Sequence, residues 1–249
     1  MARSLLGKTV VVTGASRGIG KAIALALGKE GAQVLVHYGR HAREADQVVA
    51  EIRSMGSRSE KINADLAQPD GPHKLAKRAK EIIGGRLDIL VANAGVFLPS
   101  SIDDLAVEEF DKLFAVNVRA PLFLVQQLRP IMCTGSNVIF VSSLAARATI
   151  GDFAAYAASK GALETTVKYL ARAFGPHGIR VNAVAPGVIE TDAAAFVKTG
   201  EGREHTLAMQ TFKRIGSPED VARVVAFLAS NQARWITGEV VPVDGGSQL

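Results

Sequence analysis

The chain has 249 residues, 48% hydrophobic and 21% charged, with a net charge of +5. That suits a globular domain with a large core, and the basic residues are dispersed rather than interleaved with aromatics, so a nucleic-acid groove is not indicated. Apolar runs fall short of the ~20 residues that cross a bilayer, and one cysteine, Cys133, excludes an intramolecular disulfide or thiolate-rich metal site.

Residues 1–8 are too short and too polar for a secretory signal, so a cytoplasmic location is the default expectation. Residues 9–13 form a β-branched run that reads as a buried strand. The run Gly14-Ala15-Ser16-Arg17-Gly18-Ile19-Gly20 follows, and then a helical pattern from Lys21. Strand, glycine turn and helix make a place for a pyrophosphate. Glycines let the backbone approach, and the helix N-terminus offers free N–H groups. A structural Gly-rich turn is the alternative reading.

Further on, the pattern predicts strands over 33–38, 58–64, 88–92, 137–141, 179–185 and 239–243. Between them it predicts helices over 42–55, 71–83, 107–128, 153–174 and 218–230, with an irregular segment before the last helix. Several strands are continuous apolar runs, as strands covered on both faces should be. The alternation predicts an α/β fold, a doubly wound parallel sheet of about seven strands flanked by helices. No linker or repeat divides the chain, so residues 1–249 are expected to form one domain.

The helix over 153–174 carries Tyr156 and Lys160, four residues apart and hence on one face. A phenol ordinarily holds its proton to pH ~10, and a nearby ammonium favours the phenolate. Ser143, at the end of an apolar strand, could hold a carbonyl or alcohol oxygen beside that phenol. These parts can pass a proton while a hydride moves. A Tyr-x-x-x-Lys pair also occurs on ordinary amphipathic helices, with the Tyr half buried and the Lys solvated. His37 and His41 are four apart but straddle a strand end, and the other histidines are isolated. No metal site is expected.

These motifs, in this order, resemble the short-chain dehydrogenase/reductase family over the whole chain. Thr13 to Gly20 resembles its cofactor turn, and Asp65-Leu66 its adenine contact. Asn93-Ala94-Gly95 resembles its Asn-Ala-Gly signature, with Ala92 where a second Asn is common. Asn117 resembles its helix asparagine, and Ser143, Tyr156 and Lys160 its active site. Pro186-Gly187 with Thr191 resembles the turn that meets the nicotinamide, and residues 236–238 and 243–246 its C-terminal signatures.

The resemblance implies a Rossmann fold and a role for each residue. Ser143 would hold the substrate oxygen, and Tyr156 would give or take the proton. Lys160 would bind the nicotinamide ribose and depress the Tyr156 pKa, and Tyr156 would itself also contact the cofactor. Asn117 would support a water linking Lys160 to solvent, or simply bond a neighbouring carbonyl.

NADPH is the expected cofactor, with NADH less favoured. The second strand ends His37-Tyr38-Gly39-Arg40 without the carboxylate that bonds a free ribose hydroxyl. Arg17 and Arg40 could clasp a 2′-phosphate. The resemblance at 153–174 and at the C-terminal segment also implies a homotetramer. The catalytic helix carries apolar positions such as Leu163, Val167 and Leu170, so its outer side is expected to pack on a partner. The substrate is expected to be a small ketone or β-ketoester, reduced to a secondary alcohol.

The close alternative is a 3-oxoacyl-carrier-protein reductase. Such enzymes often place basic residues just before the fifth strand and before the sixth, to meet an acidic partner. Residues 131–136 carry no charge and 175–178 only His177, although Arg129 and Arg172 lie nearby. A non-catalytic dinucleotide sensor is a further alternative, which the presence of both Tyr156 and Lys160 disfavours. Substrate selectivity is expected in residues 95–101, 145–152 and 191–214.

Overall fold

The structure, a computed structural model, describes residues 3–247. Seven parallel strands form one sheet in the order β3-β2-β1-β4-β5-β6-β7. They are β1 (Thr9–Val12), β2 (Gln33–Tyr38), β3 (Ser59–Asn63), β4 (Ile89–Ala92), β5 (Asn137–Val141), β6 (Arg180–Pro186) and β7 (Val240–Val243). The helices are α1 (Gly18–Lys29), α2 (Ala42–Ser54), α3 (Gly71–Ile83), α4 (Val107–Phe114) and α5 (Ala120–Leu128), followed by α6 (Ala154–Phe174), α7 (Gly200–Met209) and α8 (Pro218–Ala229).

Side chains alternate across a strand, and here each alternate set meets a different helical layer. Val10, Val12, Val34, Val36, Ile89, Val91 and Ile139 pack with α1, α2 and α8. Val11, Leu35, Leu90, Val138, Phe140 and Val181 pack with α3, α5 and α6. β1 lies between β2 and β4, and chain order reverses there. Beyond the carboxyl ends of strands at such a point, an open α/β sheet leaves a crevice for a ligand.

Two expected elements differ. The helix expected over 107–128 is broken by a π-helical turn at Ala115–Arg119. Pro121 has no N–H to give the Asn117 carbonyl four residues back, and its ring crowds that carbonyl. The segment expected to be irregular contains α7. Gly200 and Gly202 hide it by lowering helix propensity, but Thr199 caps it, its Oγ1 accepting from the Gly202 N–H at 3.1 Å.

Candidate active site

The expected residues converge on the carboxyl ends of the strands. Gly14 and Gly18 adopt φ of +63° and +55°, where glycine is the natural occupant. A Cβ on Gly20 would lie 2.2 Å from the Gly14 carbonyl oxygen, so α1 can start this close to β1 only with glycine there. No side chain caps the first turn of α1. Its N–H groups are therefore available to an anion. The turn fits a dinucleotide diphosphate.

The turn is tied to the next strand. The Thr13 hydroxyl accepts from the backbone N–H groups of Asn93 and Ala94, at 3.0 and 2.9 Å. The Asn93 amide donates to the Thr13 and Gly14 carbonyls at 2.9 and 3.2 Å. Thr191 packs on Gly18, and Gly187 lies against Asp244, where a Cβ on the glycine would come within 2.8 Å of the Asp244 Cβ. Residues 186–187, 191 and 243–246 thus gather at one edge of the crevice.

Other cofactor candidates are partly engaged. The Asp65 carboxylate turns into its own loop, accepting from the Ala67 N–H at 3.0 Å and the Gln68 amide at 3.3 Å. Leu66 is buried in the core. Arg17 pairs with Asp192 at 3.3 Å, both being exposed. Such a pair is weak, so Arg17 can turn to another anion. Ser16 is buried and Arg40 is exposed.

Tyr156 and Lys160 project from one face of α6. The Ser143 side chain lies near enough to the Tyr156 phenol to lower its pKa. The Ser143 Oγ accepts from the Ala145 N–H at 3.2 Å, which leaves its own proton to give. Lys160 is buried, its Nζ 5.7 Å from the Tyr156 ring centroid and donating to the Val141 carbonyl at 2.9 Å. Burial pushes the Lys160 ammonium down to about 8.

The expected depression of the Tyr156 pKa by Lys160 is not found. Burial raises the phenol above its ordinary value, and only the Ser143 side chain pulls it back. The lysine charge lies beneath the ring rather than at the hydroxyl.

Asn117 holds the mouth of the site. Its side chain accepts from the Val96 N–H at 2.8 Å and donates to the Val96 carbonyl and Ser159 Oγ, both at 3.0 Å. Gly95 lies beside it: a Cβ there would come within 3.3 Å of the Lys160 Nζ. The π-helical turn places Asn117 here, and Pro121 was its signal in the sequence.

Sequence reasoning missed several residues. Glu164, one turn beyond Lys160, accepts from Ser142 Oγ at 2.9 Å and Arg147 Nε at 2.8 Å. It pins both sides of the Ser143 turn to the helix that carries Tyr156. Phe97 and Phe153 flank the phenol, with ring centroids 4.9 and 6.0 Å from that of Tyr156 and edge-to-face geometry. Phe97 lies in the 95–101 segment expected to carry selectivity, and Phe153 stands three residues before Tyr156 at the N-cap of the same helix, but the sequence reading singles out neither ring.

Two further expectations need correction. Leu163 and Val167 face the sheet and are buried, because α6 turns its apolar stripe inward. The outward aromatic is Tyr169, 75% exposed. Residues 131–136 and 175–178 precede β5 and β6, so in a parallel sheet they lie at the amino-terminal edge, opposite the crevice of this chain. Arg129 sits there too, over the Phe174 ring at 5.3 Å. Their charge therefore does not bear on the mouth within this chain. Among the described residues, no group of His, Cys, Asp and Glu could hold a metal ion, and no helix is long and apolar enough to cross a membrane.

A glycine cradle at the switch point of a parallel sheet, opening onto a Ser–Tyr–Lys group, defines a dinucleotide-binding oxidoreductase. A family model described as Enoyl-(Acyl carrier protein) reductase matches residues 14–248. The chain belongs to the short-chain dehydrogenase/reductase family.

It is 42% identical to a versicolorin reductase of Emericella nidulans, over 97% of this chain and 96% of that protein. It is 39% identical to a trihydroxynaphthalene reductase of Colletotrichum orbiculare, over 98% and 90%. Among solved structures it is similar to angucycline C-6 ketoreductase LanV with bound NADP, with a TM-score of 0.93 and 41% identity, covering 98% of this chain and 97% of that one. A Burkholderia cenocepacia short-chain dehydrogenase in complex with NADP gives a TM-score of 0.94 and 38% identity, covering 99% and 100%.

Proposed function

We propose that this chain reduces a ketone to a secondary alcohol with NADPH, Tyr156 giving the proton to the carbonyl oxygen. The observation that carries this is the convergence of Ser143, the Tyr156 phenol and the buried Lys160, whose Nζ lies 5.7 Å from the phenol ring centroid. NADPH supplies the hydride when bound. Gly14, Gly18, Ile19 and Gly20 would cradle its diphosphate. Arg17 and Arg40 would meet its 2′-phosphate, as guanidinium geometry favours. Residues 65–66 and 93–95 would border the adenine and ribose. Pro186, Gly187 and Thr191 would border the nicotinamide.

The substrate carbonyl sits between Ser143 and Tyr156, whose hydroxyls hold its oxygen as negative charge develops. A phenol is protonated at neutral pH and burial favours that form further, so Tyr156 acts as the general acid. Lys160 binds ribose hydroxyls. The Asn117 carbonyl, denied its helical partner by Pro121, can hold a water that leads protons to Lys160.

Among small ketones, we favour an aryl ketone over an aliphatic β-ketoester. Phe97 and Phe153 set two aromatic rings beside Tyr156. One similar protein is named for a naphthalene substrate. Ring–ring packing contributes about 0.5–1.5 kcal/mol beyond area burial.

The test follows NADPH absorbance with 1-tetralone, ethyl acetoacetate, acetoacetyl-carrier protein and a crotonyl thioester. Turnover of the ketones supports the reading, and the highest kcat/KM on 1-tetralone supports the aryl preference. NADPH binding without turnover of any of these substrates would favour a sensor. A hundredfold preference for the carrier-protein thioester would favour the carrier-protein reductase. Turnover of the crotonyl thioester alone would overturn carbonyl reduction. Self-association as a homotetramer fits the exposed Tyr169 and Trp235 (75% and 96%), and a monomeric mass by light scattering would contradict it.

A further inference from the structure

His37 lies in β2, buried to 3% exposure, and takes no part in the proton transfer described above. Its ring touches two loops. The Gly14 N–H donates to His37 Nδ1 at 3.0 Å. The other nitrogen, Nε2, lies 3.0 Å from the Ala64 carbonyl. A backbone N–H can only donate and a carbonyl can only accept, so the ring is neutral with its proton on Nε2. Burial agrees, pushing the imidazole down to about 4.

Gly14 is the first glycine of the diphosphate turn. Ala64 immediately precedes Asp65-Leu66, on the loop after β3. A third contact locks the same corner: the Ala15 N–H donates to the His37 carbonyl at 2.8 Å. We propose that His37 is a positioning residue for the dinucleotide, a single side chain that sets the spacing between the diphosphate turn and the adenine loop. The inference rests on the cofactor reading above. A shift of either loop would misplace backbone groups that must meet the diphosphate and the adenosine half of one ligand, and small misplacements of binding groups are costly.

Three variants separate the two bonds. Asn at 37 carries an oxygen near the Nδ1 position and keeps the Gly14 bond. Gln carries an amide near the Nε2 position and keeps the Ala64 bond. Leu keeps neither. NADPH Kd is measured by fluorescence titration, alongside KM, kcat and melting temperature. Leu228→Ala, a core change in α8, serves as a comparison at reduced stability.

The inference predicts that His37→Leu raises the NADPH Kd tenfold or more while kcat at saturating NADPH falls less than threefold. His37→Gln should fall between that and the wild type, and His37→Asn should restore most of the affinity. Leu228→Ala should leave the Kd within twofold. If His37→Leu does not fold, the Asn and Gln variants decide, with Gln weaker-binding than Asn by at least threefold. A folded Leu or Gln variant with wild-type Kd would overturn the proposal. So would an equal loss of affinity in Leu228→Ala. Failure of the wild type to bind NADPH would instead overturn the cofactor reading.

Discussion

The cofactor half and the substrate half of this crevice are built by different means. Around β1, β2 and β4 the backbone does the work. Gly20 admits no side chain against Gly14, Thr13 and Asn93 stitch two strand ends together, and α1 offers unpaired N–H groups. On the other side, side chains do the work. On the proposed reading Ser143, Tyr156 and Lys160 would carry the chemistry, while Phe97 and Phe153 pack against the phenol ring. A backbone site tolerates few residue types and so leaves a strong mark in sequence. A mouth lined by side chains from separate loops leaves almost none, and the two halves should fail in different ways when altered.

Lys160 bridges them, and its loss should have the largest combined effect. Lys160→Met is expected to cut kcat by more than ~10²-fold, the usual scale for acid–base machinery, and to weaken NADPH binding. It should also raise the melting temperature. The ammonium titrates near 8 rather than 10.5 in the fold. The folded state therefore carries the charge at a cost of about 3 kcal/mol at pH 7, taking ~1.4 kcal/mol per pKa unit. Calorimetry together with steady-state kinetics checks both parts.

Gly20→Ala should damage the backbone half alone. Its Cβ would meet the Gly14 carbonyl at 2.2 Å, so the diphosphate turn must shift. The expected result is an NADPH Kd raised roughly tenfold, about 1.4 kcal/mol, with a smaller loss in kcat. Isothermal titration calorimetry reads the first and stopped-flow turnover the second.

The His37 corner ties stability to pH. Unfolded, this histidine binds a proton near 6.5, but buried it does so only near 4. Between these values the unfolded chain holds more protons, so stability falls as pH drops from about 6.5 to 4 and levels off below. The window is worth about 3 kcal/mol for this group. His37→Asn should therefore lose less stability over that range, measured by urea denaturation at stepped pH.

The smallest expected effect is at the mouth. Phe97→Leu should lower kcat/KM for 1-tetralone by roughly 2- to 12-fold, the span of a ring–ring contact. Its kcat/KM for ethyl acetoacetate should change less than twofold. Equal losses on both substrates would remove the aryl preference from Phe97.

What could be read from the sequence follows the same division. The strand–glycine–helix unit, the Tyr-x-x-x-Lys face and the serine after β5 each depend on local spacing, and each is where it was expected. Pro121 marked the π-helical turn at Asn117, but a periodic apolar pattern on both sides masked it. Gly200 and Gly202 masked α7 in the opposite sense, by weak propensity overridden by a cap. The Glu164–Arg147–Ser142 tie and the His37 bridge join residues far apart in the chain, so no local pattern carried them. The direction of the Tyr156 shift was missed because the Tyr–Lys spacing says nothing of the burial that raises the phenol pKa.

On the proposed mechanism Tyr156 gives the proton, and its hydroxyl adds little to cofactor affinity. The most direct measurement is NADPH titration and single-turnover reduction in Tyr156→Phe, with the same ketone and protein preparation. A Kd within threefold of wild type, with reduction slowed by at least ~10²-fold, is the predicted result. Near-normal reduction with an intact Kd would contradict it.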